Sequence, residues 1–401
     1  MKLNHIYKSI ACGVLLAMTA TSCDLDYNPV DTYSDVTEGV NKTDEKPIFN
    51  SVQDVETSMV TLHKKFRDRQ EHWYVDKLLI GDAHSDNAYA GTTGAEVVPY
   101  ETNSIEGSNS VLKRDWDRFL GDIAVANRII VGCDQLKALS ESERGKYQSQ
   151  AKIFRAMVMF DMVRLWGNFP VITTVGGDIT EDNVEEMYPT YFPPQNTAEE
   201  AYAQIEKDLT EAVENPNTPT NDTSDKSILT KSVARAMLAK VYADKPLRDY
   251  AKVIKYADEL AADGFDLVED FSDLWAYDTE KKDCRVRNTK EAILEAHFPP
   301  GSGNWCTWMF GRNLSNWDES FTWAKWITPS RDYEEQGDTK RYNESVVWYD
   351  CGWSNYYPAD HYAFMYKCRS AFNSIIYLRY ADILLLKAEA KIMGEAPDLN
   401  G

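Results

Sequence analysis

Between Ala151 and Ile172, apolar residues recur at three- and four-residue steps on two adjoining stripes. One holds Ile153, Ala156, Met157, Phe160, Val163 and Gly167; the other holds Phe154, Val158, Met162 and Leu165. A helix this apolar on most sides has to be covered on more than one of them, so further helices must pack around it. Its charges, Lys152, Arg155, Asp161 and Arg164, must reach water or find partners, and Gly167-Asn168 followed by Pro170 ends it. The pattern makes this stretch a central core helix rather than a carrier of chemistry.

The same periodicity predicts the helices on either side. Ser51 to Arg69 places Val52, Val55, Met59, Leu62 and Phe66 on one face, with Asp54 and Glu56 near its positive N-terminal end. Lys77 to Gly94 breaks into a polar loop, GDAHSDNAYAGTTG. Val111 to Leu139 follows with Trp116, Phe119, Leu120, Ile123, Ala126, Asn127, Ile130 and Val131 at helical spacing. A short turn, Leu139 to Glu143, then returns the chain into the central helix, giving an antiparallel hairpin.

Beyond it, Thr197 to Val213, Thr230 to Asp244 and Asp249 to Ala262 read as three more helices, with Ala234, Ala236, Ala239 and Ala251 permitting close approach. Pairs of this length resemble tetratricopeptide repeats, whose ~34-residue units stack because no single pair buries its own apolar face. From Phe265 onward the sequence is irregular and rich in aromatics. Tyr377 to Ile392 is a last strong helix, before Gly394, Pro397 and Gly401. The expected fold is therefore mainly α: tetratricopeptide-like helix pairs forming a scaffold over about 51–262 and 374–393, with an irregular aromatic-rich loop subdomain over about 265–373.

Seven of the eleven tryptophans, Trp305, Trp308, Trp317, Trp323, Trp326, Trp348 and Trp353, fall between residues 305 and 353 among Gly, Asn and Ser. They either bury in a subdomain poor in regular structure or form a platform for sugar rings, whose C–H faces stack on indole. Most are expected in the core, and roughly two to four exposed. Two loop regions combine aromatic with amide or acid groups suited to sugar hydroxyls. These are Asp86-Asn87-Ala88-Tyr89, and the segment where Trp305, Trp308, Trp317 and Trp323 alternate with Gly303, Asn304, Asn313 and Asn316. The candidate glycan-binding residues are accordingly Asp86, Asn87, Tyr89, Trp305, Trp308, Trp317 and Trp323.

Composition narrows the function. At 401 residues, 43% hydrophobic and 12% aromatic, the chain has enough apolar surface for a sizeable core. A net charge of −21 repels nucleic-acid phosphates and anionic lipid surfaces, and neutral ligands fit it best. Lys2 and Lys8 precede a short apolar run, Ile10 to Ala17, then Ala20-Thr21-Ser22-Cys23. That is a signal-peptide pattern, too short to span a bilayer, and the Cys after small residues resembles a bacterial lipobox. Ala20 stands where Leu is usual. Residues 1–22 are read as the signal, Cys23 as the lipidated first residue, 23–50 as an acidic tether and 51–401 as one domain. Removal of the signal takes the charge to −23.

Catalytic and metal patterns are missing from the sequence. Neither a zinc spacing nor a C-x-x-C pair occurs among Cys133, Cys284, Cys306, Cys351 and Cys368. They read as isolated thiols, with Cys306 and Cys351 as the pair an oxidising setting would join. His63, His72, His84, His297 and His361 are scattered and read as surface or packing residues. There is no H-E-x-x-H, G-x-S-x-G, Walker loop or G-x-G-x-x-G, so no cofactor or metal is expected.

Seven stretches in order resemble the SusD-like (RagB/SusD) nutrient-uptake lipoproteins of bacterial outer membranes. They are the CDLDYNP start, RDWDRFLGDIAVANRII, AKIFRAMVMFDMVRLWGNFPVI, TKSVARAMLAKVYADK, EAILEAHF, PSRDYEEQGDTKRYN and YLRYADILLLKAEA. The resemblance implies a surface lipoprotein, facing the cell exterior, that binds oligosaccharides without acting on them. It would hand them to a SusC-like TonB-dependent transporter. Family members usually continue past the YLRYADILLLKAEA helix, so a shortened chain with a partly uncovered last helix is expected. Two alternatives stay open: an exported helical glycoside hydrolase, needing two carboxylates about 5–10 Å apart, and a tetratricopeptide-type scaffold for protein partners.

Overall fold

A computed structural model describes residues 47–91, 94–176, 185, 192–278, 280–281, 283–298, 303–311, 326–331, 339–349 and 362–394. The chain divides into Met1–Pro47 and Ile48–Gly401, and the fold below is that of the second unit. The signal, Cys23, Trp317, Trp323, Trp353, Cys351 and His361 lie outside the described residues, as does the side chain of Trp308.

Caps set the helix starts. Ser51 opens α1 (Val52–Asp68) by a capping box with Asp54, and Val55, Met59, Leu62 and Phe66 are its buried face. Two π-helical turns, Glu71–Val75 and Leu79–Ala83, flank Asp76–Leu78 and continue to β1 (Ala88–Ala90). The polar loop expected from Lys77 is thus helical through Ala83, because Val75 and Leu79 are buried. A short α2 (Val98–Glu101) leads to α3 (Ser110–Gln135), capped by Asn109.

The central helix, α4, spans Glu141–Trp166, starting ten residues before the apolar stripe. Ser140 caps it and Glu143 closes the box, so the residues expected to form a turn are its first turn. Gly167, at φ 73°, ends it. Every residue from Ile153 to Phe160 is buried. α3 packs on one side and α5 (Ala198–Glu214) on another, with α1 and α6 (Lys231–Ala243) also touching it. The charges pair as required: Lys152 with Glu211 at 2.7 Å, Asp161 with Lys77, Arg164 with Asp244 at 3.8 Å. Arg155, 4% exposed, makes a two-pronged pair with Asp208 at 2.8 and 2.7 Å and donates to Asn127 Oδ1 at 2.7 Å.

Successive helices stack, α5 on α6, α6 on α7 (Tyr250–Ala262) and α7 on the last helix, α10 (Tyr380–Met393), as in a repeat array. Between α7 and α10 lie two-stranded antiparallel sheets: β2 (Tyr277–Asp278) with β3 (Asp283–Cys284), and β4 (Ala292–Ala296) with β8 (Ile375–Arg379). A turn of helix, α8 (Cys306–Met309), precedes β5 (Ile327–Pro329), which pairs with β1. α9 (Thr339–Ser345) then leads into β6 (Val346–Tyr349), paired with β7 (Tyr362–Met365). Tyr377, Leu378 and Arg379, expected to begin the last helix, are instead in β8, where β4 supplies a pairing edge. Tyr377 also donates its hydroxyl to Phe66 O at 2.6 Å and joins Phe66, Trp73 and Phe154 in an aromatic cluster with centroids 4.5 to 5.9 Å apart. That cluster bonds the loop-rich part to α1 and α4. On α10, Leu385, Ile392 and Met393 are exposed. Cys133, Cys284, Cys306 and Cys368 are free thiols.

Candidate functional site

The candidate loops hang on one buried glutamine. Gln70, 2% exposed, accepts from the Trp305 backbone N–H at 2.7 Å and donates to Gly303 O at 3.0 Å. On the other flank, Asn304 donates to Asn373 O at 2.9 Å and accepts from Cys306 N–H at 2.8 Å. Gly303, at φ 49°, makes the bend that lets both clamps close. Trp305 is thus fixed through its backbone, with its ring half-buried.

Asp82 O receives Ser85 N–H and Oγ at 3.2 and 2.9 Å, forming the turn that presents Asp86 and Asn87 to solvent. Strand β1 follows in register with β5, Ala88 opposite Pro329 and Ala90 opposite Ile327. Ser330 N–H donates to Asn87 O at 3.0 Å, leaving the Asn87 amide outward. Trp326 is the link between the two regions, receiving Gly91 N–H at 2.8 Å and donating its own N–H to Met309 O at 2.9 Å. Both candidate segments therefore belong to one hydrogen-bonded frame. Tyr89 takes a different part. Half-buried, it packs on the small core of Val346, Tyr362, Ala363 and Phe364, and its hydroxyl accepts from Arg331 N–H at 3.4 Å. Trp348, Nε1 donating to Tyr342 at 2.7 Å, packs on the same core.

Beneath this frame lies a buried charge network. Asp76 is fully buried and receives Arg114, whose guanidinium also stands 5.7 Å from the Trp326 ring centre. Asp115, equally buried, holds its carboxyl well above the carboxylate range through burial first and the adjoining Asp76 next, against the pull of Arg114 and Arg118. Asp122 gathers His72 at 2.8 Å, Trp73 Nε1 at 3.0 Å and Lys65 at 2.9 Å, while burial pushes the His72 imidazole down. These groups underpin the π-helical turns, a geometry frequent at functional sites.

Gln70, Arg114, Asp76 and Asp115 were not among the residues singled out by sequence, and Trp326, counted in the tryptophan cluster, was not among the candidate binding residues. Gln70 carries a faint signal, falling four residues after Phe66 on a buried stripe; Arg114, Asp76 and Asp115 carry none. Two grooves, about 660 and 570 Å³, lie elsewhere and share His63. Neither is lined by a predicted site residue. No group of His, Cys, Asp or Glu among the described residues is arranged to hold a metal. None of the described helices is long and apolar enough to cross a membrane.

A SusD-like family model, described as "Starch-binding associating with outer membrane", matches residues 33–243, over half of the sequence. The chain belongs to the SusD-like family. A SusD-like protein of Bacteroides ovatus is 25% identical over 309 residues, 74% of this chain, and the chain spans about half the length of that relative. Among solved structures, surface glycan-binding protein A from Bacteroides fluxus superposes with a TM-score of 0.68 at 18% identity, covering 88% of this chain and 79% of its own. Surface glycan-binding protein A from Bacteroides thetaiotaomicron, in complex with laminarihexaose, gives 0.67 at 16%, covering 86% and 79%. At these identities the superpositions establish that this SusD-like chain has the fold of those proteins. The mainly helical expectation and the family resemblance both hold.

Proposed function

We propose that this protein is a cell-surface glycan-binding lipoprotein. It captures oligosaccharides at the frame built on Gln70 and Trp326 and delivers them to a SusC-like TonB-dependent outer membrane transporter. The observation that carries the reading is the joining, through Trp326, of a solvent-facing Asp86-Asn87 turn to the clamped Trp305, within a chain of the SusD-like family. Carboxylate and amide groups take sugar hydroxyls, and an indole fixed through its backbone stacks on a sugar face without losing further freedom on binding. Lipid on Cys23 anchors the protein to the outer membrane, facing outward, and the stacked helices offer an extended surface to the transporter. Trp308, Trp317 and Trp323 remain candidates for the same platform.

The reading is one of binding without chemistry. The Asp76 and Asp115 carboxyls beneath the frame are sealed from solvent and so do not meet a glycosidic bond. Retardation of the purified protein in native gels cast with a panel of polysaccharides tests capture, with reducing ends measured in parallel. Retention without new reducing ends supports the proposal. Release of products would establish a hydrolase. Failure to retain any glycan, with a β-barrel still co-purifying from solubilised membrane, would favour a protein scaffold.

A further inference from the structure

Lys367 lies in the single 3-10 turn, Tyr366–Cys368, that follows β7. Its ammonium stands 5.1 Å from the ring centre of Trp275 and 5.6 Å from that of Phe271, both half-buried, and the Arg341 guanidinium stands 5.4 Å from the same Phe271 ring. Among the described residues no carboxylate or carbonyl comes within pairing distance of it. The indole N–H of Trp275 is buried and likewise lacks an acceptor. The groups that face Lys367 are Arg379, which is paired with Glu291, Arg341, the Cys368 thiol and the Asp82 carboxyl. Burial first, then Arg379 and Arg341, push the ammonium down to about 8.

An ammonium held on rings beside other cations, with no anion in pairing distance among the described residues, is in an unfavourable place that an incoming anion relieves. The position is close to the proposed site. Asp82 begins the turn that presents Asp86 and Asn87, and a Cβ on Gly311, two residues past α8, would come within 1.9 Å of Cys368 O. Lys367 therefore stands between the two candidate segments.

We infer that Lys367, with Trp275 and Phe271 as ring platform and Arg341 beside them, forms a subsite for an acidic sugar whose carboxylate or sulfate meets the ammonium. The inference rests on the glycan-capture reading and narrows it to anionic glycans. It revises the expectation of neutral ligands drawn from the net charge of −21. At physiological salt, charges more than about 8 Å away are largely screened, so the local cluster decides.

Affinity gels cast with paired polysaccharides that differ only in charge test it: homogalacturonan with its methyl ester, and dextran sulfate with dextran. Wild type should retain the acidic member of at least one pair in preference to its neutral partner. Lys367→Met, which keeps the aliphatic stem on the rings, should weaken that retention at least tenfold at an unchanged melting temperature. Which pair responds separates carboxylate from sulfate. Raising the salt concentration gives the same reading on wild type alone, selectively weakening acidic-glycan retention. Retention of neutral members only, or equal retention of acidic members by Lys367→Met, would overturn the subsite and leave glycan capture standing. Retention of no polysaccharide at all would overturn both.

Discussion

Asp208→Ala removes one side of the polar lock on the central helix. Asp208 on α5 and Arg155 on α4 are 1% and 4% exposed, so water does not replace a missing partner. The substitution takes two of the three acceptors of the guanidinium, at 2.8 and 2.7 Å, leaving Asn127 Oδ1 at 2.7 Å. Breaking a buried pair from one side costs about 3–5 kcal/mol. At about 2–4 °C per kcal/mol, the melting temperature should fall by roughly 6–20 °C. Replacing both partners, Arg155→Met with Asp208→Leu, should recover most of that loss. Burial pushes the Asp208 carboxyl up even with Arg155 beside it, which means desolvation outweighs attraction. Urea unfolding followed by tryptophan fluorescence gives both free energies. A single variant within about 1 kcal/mol of wild type, or a double variant that loses as much as the single, would refute a buried Arg155–Asp208 lock.

Three further outcomes are expected. The folded state holds the Asp115 proton more tightly than the unfolded chain, so this group contributes stability that is full below about pH 4 and is lost as pH rises through its raised folded value. Asp115→Asn, which mimics the protonated form, should therefore gain stability relative to wild type between pH 5 and pH 8; a difference independent of pH would show that the Asp115 carboxyl is not raised. Gly311→Ala drives a Cβ against the backbone of Cys368 and should destabilise the protein by about 1–3 kcal/mol in thermal melts, whereas an unchanged melt would show that the two segments separate freely. Cys23→Ala should move the protein from the membrane fraction to soluble extract or leave an unprocessed precursor. Normal processing with full membrane retention would count against lipidation.

The helical half was legible because its signals are local. Ser51, Thr197, Thr230 and Asp249 cap α1, α5, α6 and α7 within a residue of where the pattern places them. The start of α4 was misplaced because Glu141 to Glu143 are polar at every position. Periodicity is silent there, while the Ser140–Glu143 box speaks for a helix. Tyr377 to Arg379 continue the helical stripe in sequence, but a strand edge more than 80 residues earlier claims them. Asn87 and Trp305 were named from residue type alone, and the structure places both segments on one hydrogen-bonded frame. Gln70 and Trp326 act through contacts that span 235 and 17 to 235 residues of chain, and no spacing rule reports those. Tyr89 shows the converse, an aromatic in a polar loop that serves a small core.

Capture of a glycan at this frame is most directly tested by isothermal titration calorimetry with an oligosaccharide cut from a polysaccharide the protein retains. Wild type, Asn87→Ala, Trp305→Ala and His63→Ala, the last at the groove wall, are titrated alike. Asn87→Ala and Trp305→Ala should each weaken binding tenfold or more at an unchanged melting temperature, with His63→Ala binding as wild type does. Loss of binding in His63→Ala alone, with Asn87→Ala and Trp305→Ala unaffected, would place the sugar in a groove at His63 and contradict the assignment.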